Sequence, residues 1–100
     1  MTVPRGVRAC LWSYDPRRLD RRRDRRVVIT QVLNHGGWKD VLWLLKTYRK
    51  SDIRDVLRRP SRGMWLPDVL NFWVKIWSVR IPKRLYRQAL FSIHPQPIGS

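Results

Sequence analysis

Residues 32–59 read VLNHGGWKDVLWLLKTYRKSDIRDVLRR, and this stretch predicts the fold of the chain. Between Trp38 and Tyr48, apolar side chains recur at positions i, i+3, i+4, i+7 and i+10, the spacing of one face of an α-helix. These side chains are Trp38, Val41, Leu42, Leu45 and Tyr48. We expect this helix to be the central strut of the domain.

A second helix is predicted upstream of this strut. Asp20 or Asp24 is expected to cap it, and the helix runs to about Asn34. The residues 34–37, Asn-His-Gly-Gly, are expected to end it because Asn and Gly tolerate the left-handed conformation of a helix C-terminus. Its inward side chains are predicted to be Val28, Ile29, Val32 and Leu33.

A third helix is predicted downstream of the strut. Ser51 is expected to cap it, and Pro60 forces the chain out of helix at Arg59. Its inward side chains are predicted to be Ile53, Val56 and Leu57. Residues 38–59 thereby have the size of a helix-turn-helix unit, although any corner of two amphipathic helices has this pattern.

The C-terminal third predicts two more helices. Pro67 begins the first of these helices, and its apolar residues fall on two sides. One side carries Leu70, Trp73, Val74 and Trp77, and the other carries Val69, Phe72 and Ile76. A helix apolar nearly all round is either central or contacts a partner, and we assign Trp73 to the core and Phe72 and Ile76 to a partner surface. Pro82 begins the last helix, with Leu85, Ala89 and Leu90 inward.

The chain is predicted to be one all-α domain, a single compact unit of five to six short helices, with a helix-turn-helix as one interpretation of residues 38–59. Its 100 residues are enough to bury about two-thirds of the unfolded surface, and 43% hydrophobic residues with six Trp exclude a disordered tail. We expect an N-terminal arm over 1–14, the helical domain over 15–92, with a short turn starting at Asp15 and Pro16, and a flexible tail over 93–100.

Positive charge is the strongest functional signal. The chain has 22 Lys and Arg against 7 Asp, and its net charge is +15. Arginine outnumbers lysine 17 to 5, and residues 17–26 read RRLDRRRDRR. A GC-biased genome also favours Arg over Lys, but it does not explain the surplus of positive over negative charge. The composition therefore indicates an anionic partner, and it favours a nucleic acid over a small neutral metabolite.

The charge flanks a segment, 27–48, whose net charge is only +1. The predicted nucleic-acid-binding residues lie on either side of it: Arg17, Arg18, Arg21, Arg22, Arg23, Arg25, Arg26, Lys50, Arg54, Arg58, Arg59 and Arg62. Arg54 and Arg58 are four apart and share a helix face, so one of them is expected to read guanine if the helix enters a groove. The alternative is that both only solvate the helix or pair with Asp52 or Asp55.

No catalytic or metal-binding pattern is present in the sequence. The single cysteine, Cys10, allows no intrachain disulfide and is expected to be a small buried apolar residue. His35 and His94 lie in turn-like and Pro-rich sequence and are expected to face solvent. We therefore predict no enzyme, metal or cofactor. The absence of a long apolar run predicts no membrane span or signal peptide, and the cytoplasm is the expected compartment.

Three segments together resemble a known family: LWSYDPRRLD at 11–20, the stretch quoted above, and LPDVLNFWVKIWSVRIPKRLYRQAL at 66–90. The family is a small uncharacterised bacterial all-helical domain found beside abortive-infection toxins of the nucleotidyltransferase type. The matching positions are Leu11, Trp12, Gly36, Trp43, Tyr48, Ile53, Arg54, Val56, Leu57, Asn71, Phe72, Trp73, Ile81 and Pro82. The chain departs from the pattern by having Asp where Glu is usual and Leu66 where a Ser or Thr cap would precede the proline.

The resemblance implies an antitoxin-like regulator. We expect such a protein to bind DNA through its basic helices, to neutralise a partner toxin enzyme, or to do both. Two alternatives remain open, a protein-interaction module without sequence-specific DNA binding and an arginine-rich RNA-binding protein. We count a homo-oligomer among the expected assemblies.

Overall fold

The computed structural model describes residues 3–15 and 17–90, and over these ranges the chain forms six α-helices and no strand. The helices are α1 (Arg5–Cys10), α2 (Arg25–His35), α3 (Trp38–Thr47), α4 (Lys50–Arg58), α5 (Pro67–Ile76) and α6 (Lys83–Ala89). The prediction of a compact all-α domain of five to six short helices is confirmed. An isolated parallel bridge pairs Trp65 with Leu90.

Helix α2 lies at the centre of the domain. It packs against α1, α3, α4 and α5, and every residue from Val28 to Asn34 is buried. The four predicted inward side chains of α2 are among them, so that prediction is confirmed. The prediction that the 38–48 helix is the central strut is wrong, because α2 is enclosed on all sides whereas α3 keeps one face open.

The inward face of α3 differs from the predicted stripe. Val41 and Tyr48 are buried as predicted, and Leu44 is buried between them, whereas Trp38 is 69% exposed. Leu42 and Leu45 also face outward. The run from 41 to 45 is apolar at every position, so two stripes fit the helical period, and contact with α2 decides between them.

Aspartates at the third helical position stabilise the starts of α3 and α4. Asp40 accepts a hydrogen bond from the N–H of Gly37 at 2.9 Å, and Asp52 accepts one from the N–H of Arg49 at 3.2 Å. Ser51 is therefore not the cap of α4, and that prediction is wrong. The predicted inward residues of α4, Ile53, Val56 and Leu57, are all buried.

The end of α2 does not use a left-handed residue. Gly36 has φ −80° and ψ 155°, and Gly37 has φ −86°, so both lie in extended conformation. The expected left-handed turn at 34–37 is therefore wrong. Steric crowding, and not a positive φ, explains why residue 36 is a glycine, because a Cβ on this residue would lie 2.6 Å from the carbonyl oxygen of Val32.

Helix α1 packs into the same core as the other helices. Val7, Cys10 and Leu11 are buried, as is Val3 before the helix. This part of the predicted N-terminal arm thus belongs to the packed domain, and the buried position of Cys10 is confirmed. Residue 16, where a short turn was expected to begin, the tail 93–100 and His94 lie outside the described residues.

The C-terminal helices close the other side of the core. Pro67 is the first residue of α5, as predicted, and Leu70 is its fully buried side chain. Trp73 is partly buried, and its Nε1 donates to the carbonyl oxygen of Leu33 at 3.0 Å. In the part of the chain that is described, no helix is long and apolar enough to cross a membrane.

Candidate nucleic-acid interface

The two aspartates of the arginine run fold it into a turn ahead of α2. Oδ1 of Asp20 accepts hydrogen bonds from the N–H groups of Arg22 and Arg23 at 2.9 and 2.8 Å. Oδ2 of Asp24 accepts the N–H of Asp20 at 2.8 Å, and the N–H of Asp24 returns a bond to the Asp20 carbonyl at 2.9 Å. The aspartates thus fix the backbone that carries the arginines.

These hydrogen bonds favour the charged form of both carboxyls. The N–H groups of Arg23 and Arg22 hold the pKa of Asp20 below its ordinary value. The side chain of Arg23 is the main cause of a lowered pKa at Asp24, and the N–H of Asp20 adds to it. Both carboxyls are therefore ionised at neutral pH, the form that accepts the hydrogen bonds of the turn.

Tyr48 joins the turn to the junction of α3 and α4. Its hydroxyl donates to the carbonyl oxygen of Arg21 at 3.0 Å, and its ring meets Trp43 edge to face with centroids 6.4 Å apart. Burial raises the pKa of Tyr48 to about 12, so the hydroxyl remains a donor throughout the physiological range. Two segments more than twenty residues apart in sequence are thereby held together.

An open cavity of about 380 Å³ lies between the turn and this junction. Four arginines line it, together with Thr47, Tyr48 and Asp52. The four are Arg21, Arg22, Arg25 and Arg49. Over residues 3–15 and 17–90, none of these four guanidinium groups takes part in an ion pair. We refer to this feature as the arginine cavity.

Other arginines of the run are engaged within the protein. Arg23 binds Asp24 and also donates to the carbonyl oxygen of Arg18 at 2.8 Å. Arg26 ties α2 to α4, since its guanidinium donates to Asp55 Oδ2 at 3.1 Å and to the carbonyl oxygen of Arg59 at 2.6 Å. Arg17 and Arg18 are exposed beside Asp15, at 3.3 and 4.0 Å. The structure therefore divides the predicted set into arginines that line the cavity and arginines that do not.

The basic residues on and beside α4 also differ in their exposure to solvent. Arg54 is partly enclosed, and its Nε is buried without a hydrogen-bond partner among the described residues. Arg58 is exposed, as are Lys50, Arg59 and Arg62. Asp55 pairs with Arg26 and Asp52 bonds the N–H of Arg49, so neither is the ion-pair partner of Arg54 or Arg58 in the part of the fold described.

The junction between α3 and α4 is short. Tyr48 and Arg49 are the only residues between the two helices, whereas the turn of a helix-turn-helix has about three to four. Both helices pack on α2. Sequence reasoning missed Arg49 and Tyr48 as site residues, because their role depends on the distant turn at 20–24.

The proposed partner residues of α5 lie at the surface. Phe72 is 54% exposed and Ile76 is 60% exposed, four residues apart on one face. Phe72 meets Trp73 edge to face, with centroids 4.9 Å apart. Across the described residues, no group of three or more His, Cys, Asp or Glu side chains is placed to hold a metal ion.

Comparison with known proteins places the chain in a family. The pattern of a family of unknown function, DUF6922, matches residues 7–57. The chain belongs to this family. The DUF6922 match covers all of α2 and α3, all but the last residue of α4 and the last four residues of α1, and so includes every described residue that lines the arginine cavity. No curated protein and no solved structure matches the chain.

Proposed function

We propose that this protein binds the phosphate backbone of nucleic acid in the arginine cavity, with DNA as the first expected ligand. The observation that carries the proposal is the convergence of Arg21, Arg22, Arg25 and Arg49 on one open cavity, each without an acidic partner among the described residues. Planar guanidinium groups bind phosphate oxygens in pairs of hydrogen bonds, which point charges on lysine do not reproduce.

The surroundings of the cavity support an anionic ligand. Arg25 is the first residue of α2, where the helix dipole is positive. Tyr48 and Asp20 bind the backbone of Arg21 and Arg22, so the turn that carries these two side chains is fixed before a ligand arrives. Asp52 is the one acidic lining residue, and its carboxylate accepts the N–H of Arg49.

The biological role that fits this chemistry is an antitoxin-like regulator that binds DNA. Two features support that role: the resemblance of the sequence to the small helical domain found beside abortive-infection toxins, and the basic charge of the chain. RNA is the alternative ligand, and a titration with duplex RNA of the same sequence beside duplex DNA separates the two.

Replacing Arg21, Arg22 and Arg49 by alanine should weaken binding to duplex DNA about tenfold at low salt. Each phosphate contact contributes about −0.9 to the slope of log K against log salt, so the slope should become less steep by about 2 to 3. Fluorescence anisotropy at several salt concentrations measures both quantities.

The matched control removes the same charge elsewhere. Lys83, Arg84 and Arg87 are exposed on α6 and do not line the cavity. Their triple alanine variant should lose much less affinity. Equal losses in the two variants would show that only overall charge matters, and an affinity independent of salt would refute the proposal.

A second candidate function is binding of a protein partner, a toxin enzyme in the antitoxin-like role, through α5. It is favoured by the exposure of Phe72 and Ile76 on a helix whose other face is packed. Replacing both by alanine should change the free energy of unfolding by less than about 1 kcal/mol, because neither side chain is enclosed.

The same double variant should lose the complex when it is co-expressed with the product of the neighbouring gene and purified by size exclusion. Leu42 and Leu45 on α3 are also exposed and provide the control pair. A double variant that retains the complex would remove α5 as the partner surface.

A further inference from the structure

A second open cavity lies at the other end of α2 from the arginine cavity. Its volume is about 410 Å³. Its principal lining residues are Trp12, Tyr14, Gln31, His35, Met64 and Leu66. Arg25 lines the first cavity and His35 the second, so the two lie about 15 Å apart along α2 at 1.5 Å per residue. We refer to this feature as the aromatic cavity.

The walls of the aromatic cavity are held by hydrogen bonds. The N–H of Tyr14 donates to the carbonyl oxygen of Leu11 at 2.8 Å, which fixes the turn that carries Trp12. The side-chain amide of Asn34 donates to Met64 O at 3.0 Å and accepts the N–H of Leu66 at 3.1 Å. The cavity is therefore formed before a ligand enters, as in most small-molecule sites.

The chemistry of the lining suits a planar ring with a polar edge. Trp12 is 78% exposed, which leaves a large aromatic surface in water at the mouth of the cavity. Gln31 is buried in α2, and its Nε2 lies 3.5 Å from the carbonyl oxygen of Cys10. Gln31 is one of the polar residues that line the cavity.

We propose that the aromatic cavity binds an unpaired nucleobase of the nucleic acid whose phosphates occupy the arginine cavity. The base would stack on Trp12, and the amide of Gln31 would bond its edge. This inference rests on the proposed function, since it takes the base and the phosphates to belong to one strand. A duplex keeps its bases paired and stacked, so the ligand class is a single strand or a looped-out nucleotide.

The charge of the protein favours this occupant over an apolar peptide. The chain has a net charge of +15, and Arg62, beside the lining residue Gly63, is exposed. A nucleotide combines an aromatic ring with negative charge, so both the cavity and its surroundings contribute to binding. Stacking on an aromatic side chain does not select among bases, because every base has an aromatic face.

The test compares two fluorescein-labelled single strands of about 12 nucleotides, a length within the range that such proteins cover. One carries thymine at every position, and the other has abasic residues throughout with the same phosphates. The wild type should bind the base-bearing strand about tenfold more tightly. Trp12→Ala should abolish that difference and leave the affinity for the abasic strand unchanged. Trp12→Phe should retain part of it.

Trp38→Ala is the matched control, because Trp38 is also an exposed tryptophan but does not line the cavity. It should retain the full tenfold preference. The inference is overturned if wild type binds both strands equally, or if Trp12→Ala weakens both strands to the same extent. A wild type that binds neither the abasic strand nor duplex DNA would instead overturn the proposed function, and this inference with it.

Discussion

Replacing Trp65 by alanine should lower the free energy of unfolding by about 3 to 5 kcal/mol, the range measured when a large aromatic residue is removed from a core. Trp65 is fully buried and is the largest such side chain in the described structure. A domain of this size has a total stability of about 5 to 15 kcal/mol, so this loss removes a large fraction of it. Urea unfolding followed by far-UV circular dichroism measures the change.

Two further variants make this result specific to Trp65. Trp38→Ala removes the same side chain from an exposed position and should change stability by less than about 0.5 kcal/mol. Trp65→Phe should fall between wild type and Trp65→Ala, because it retains most of the volume and removes an Nε1 that has no partner among the described residues. A Trp65→Ala protein that unfolds at the urea concentration of wild type would contradict the core described above.

The sequence predicted the helical class and much of the burial because these depend on local patterns. Val28, Ile29, Val32 and Leu33 fall on the inner face of α2 as expected, and the inward residues of α4 are also correct. Pro67 marks the start of α5 in both the sequence and the structure. In each case a periodic apolar spacing or a proline determines the local result.

The errors arise where tertiary contacts decide between local alternatives. The sequence of α3 permits two apolar stripes. Val41 and Tyr48 are buried as predicted, whereas packing on α2 buries Leu44 instead of Leu42 and Leu45. Nothing in the sequence marked Trp65 for complete burial, because it lies outside the helices. Its position depends on the hydrogen bond from its N–H to the carbonyl oxygen of Ala89, which is 2.9 Å long.

The candidate site was predictable only in part for the same reason. The arginine run predicted an anionic partner, and Arg21, Arg22 and Arg25 line the arginine cavity. The sequence did not show that Arg23 is bound to Asp24 or that Arg26 is bound to Asp55. It also did not show that Arg49 completes the cavity, since the turn at 20–24 and residues 47–52 meet only in the folded chain.

Replacing Gly36 by alanine should be the second most damaging of these changes, with a loss of about 1 to 3 kcal/mol, as found when a packed site is overfilled. A Cβ on Gly36 would lie 2.6 Å from the carbonyl oxygen of Val32 and 2.9 Å from the Cβ of Asp40. That carbonyl accepts the N–H of Gly36 at 2.8 Å and ends α2, while Asp40 stabilises the start of α3. Relief of the clash therefore disturbs two helix ends, and the midpoint of urea unfolding should fall accordingly.

Gly37→Ala is the neighbouring control and separates this steric cause from the loss of glycine flexibility. The nearest atom to a Cβ on Gly37 is the Asp40 Oδ2 at 3.9 Å, an ordinary contact, and its φ of −86° suits any residue. Gly37 is the N-cap of α3, a position where alanine is less favourable than glycine, so alanine there should cost less than about 1 kcal/mol and less than at Gly36. If the two variants lose equal stability, the helix junction depends on the flexibility of its glycines and the close approach of Val32 to Gly36 is not the cause.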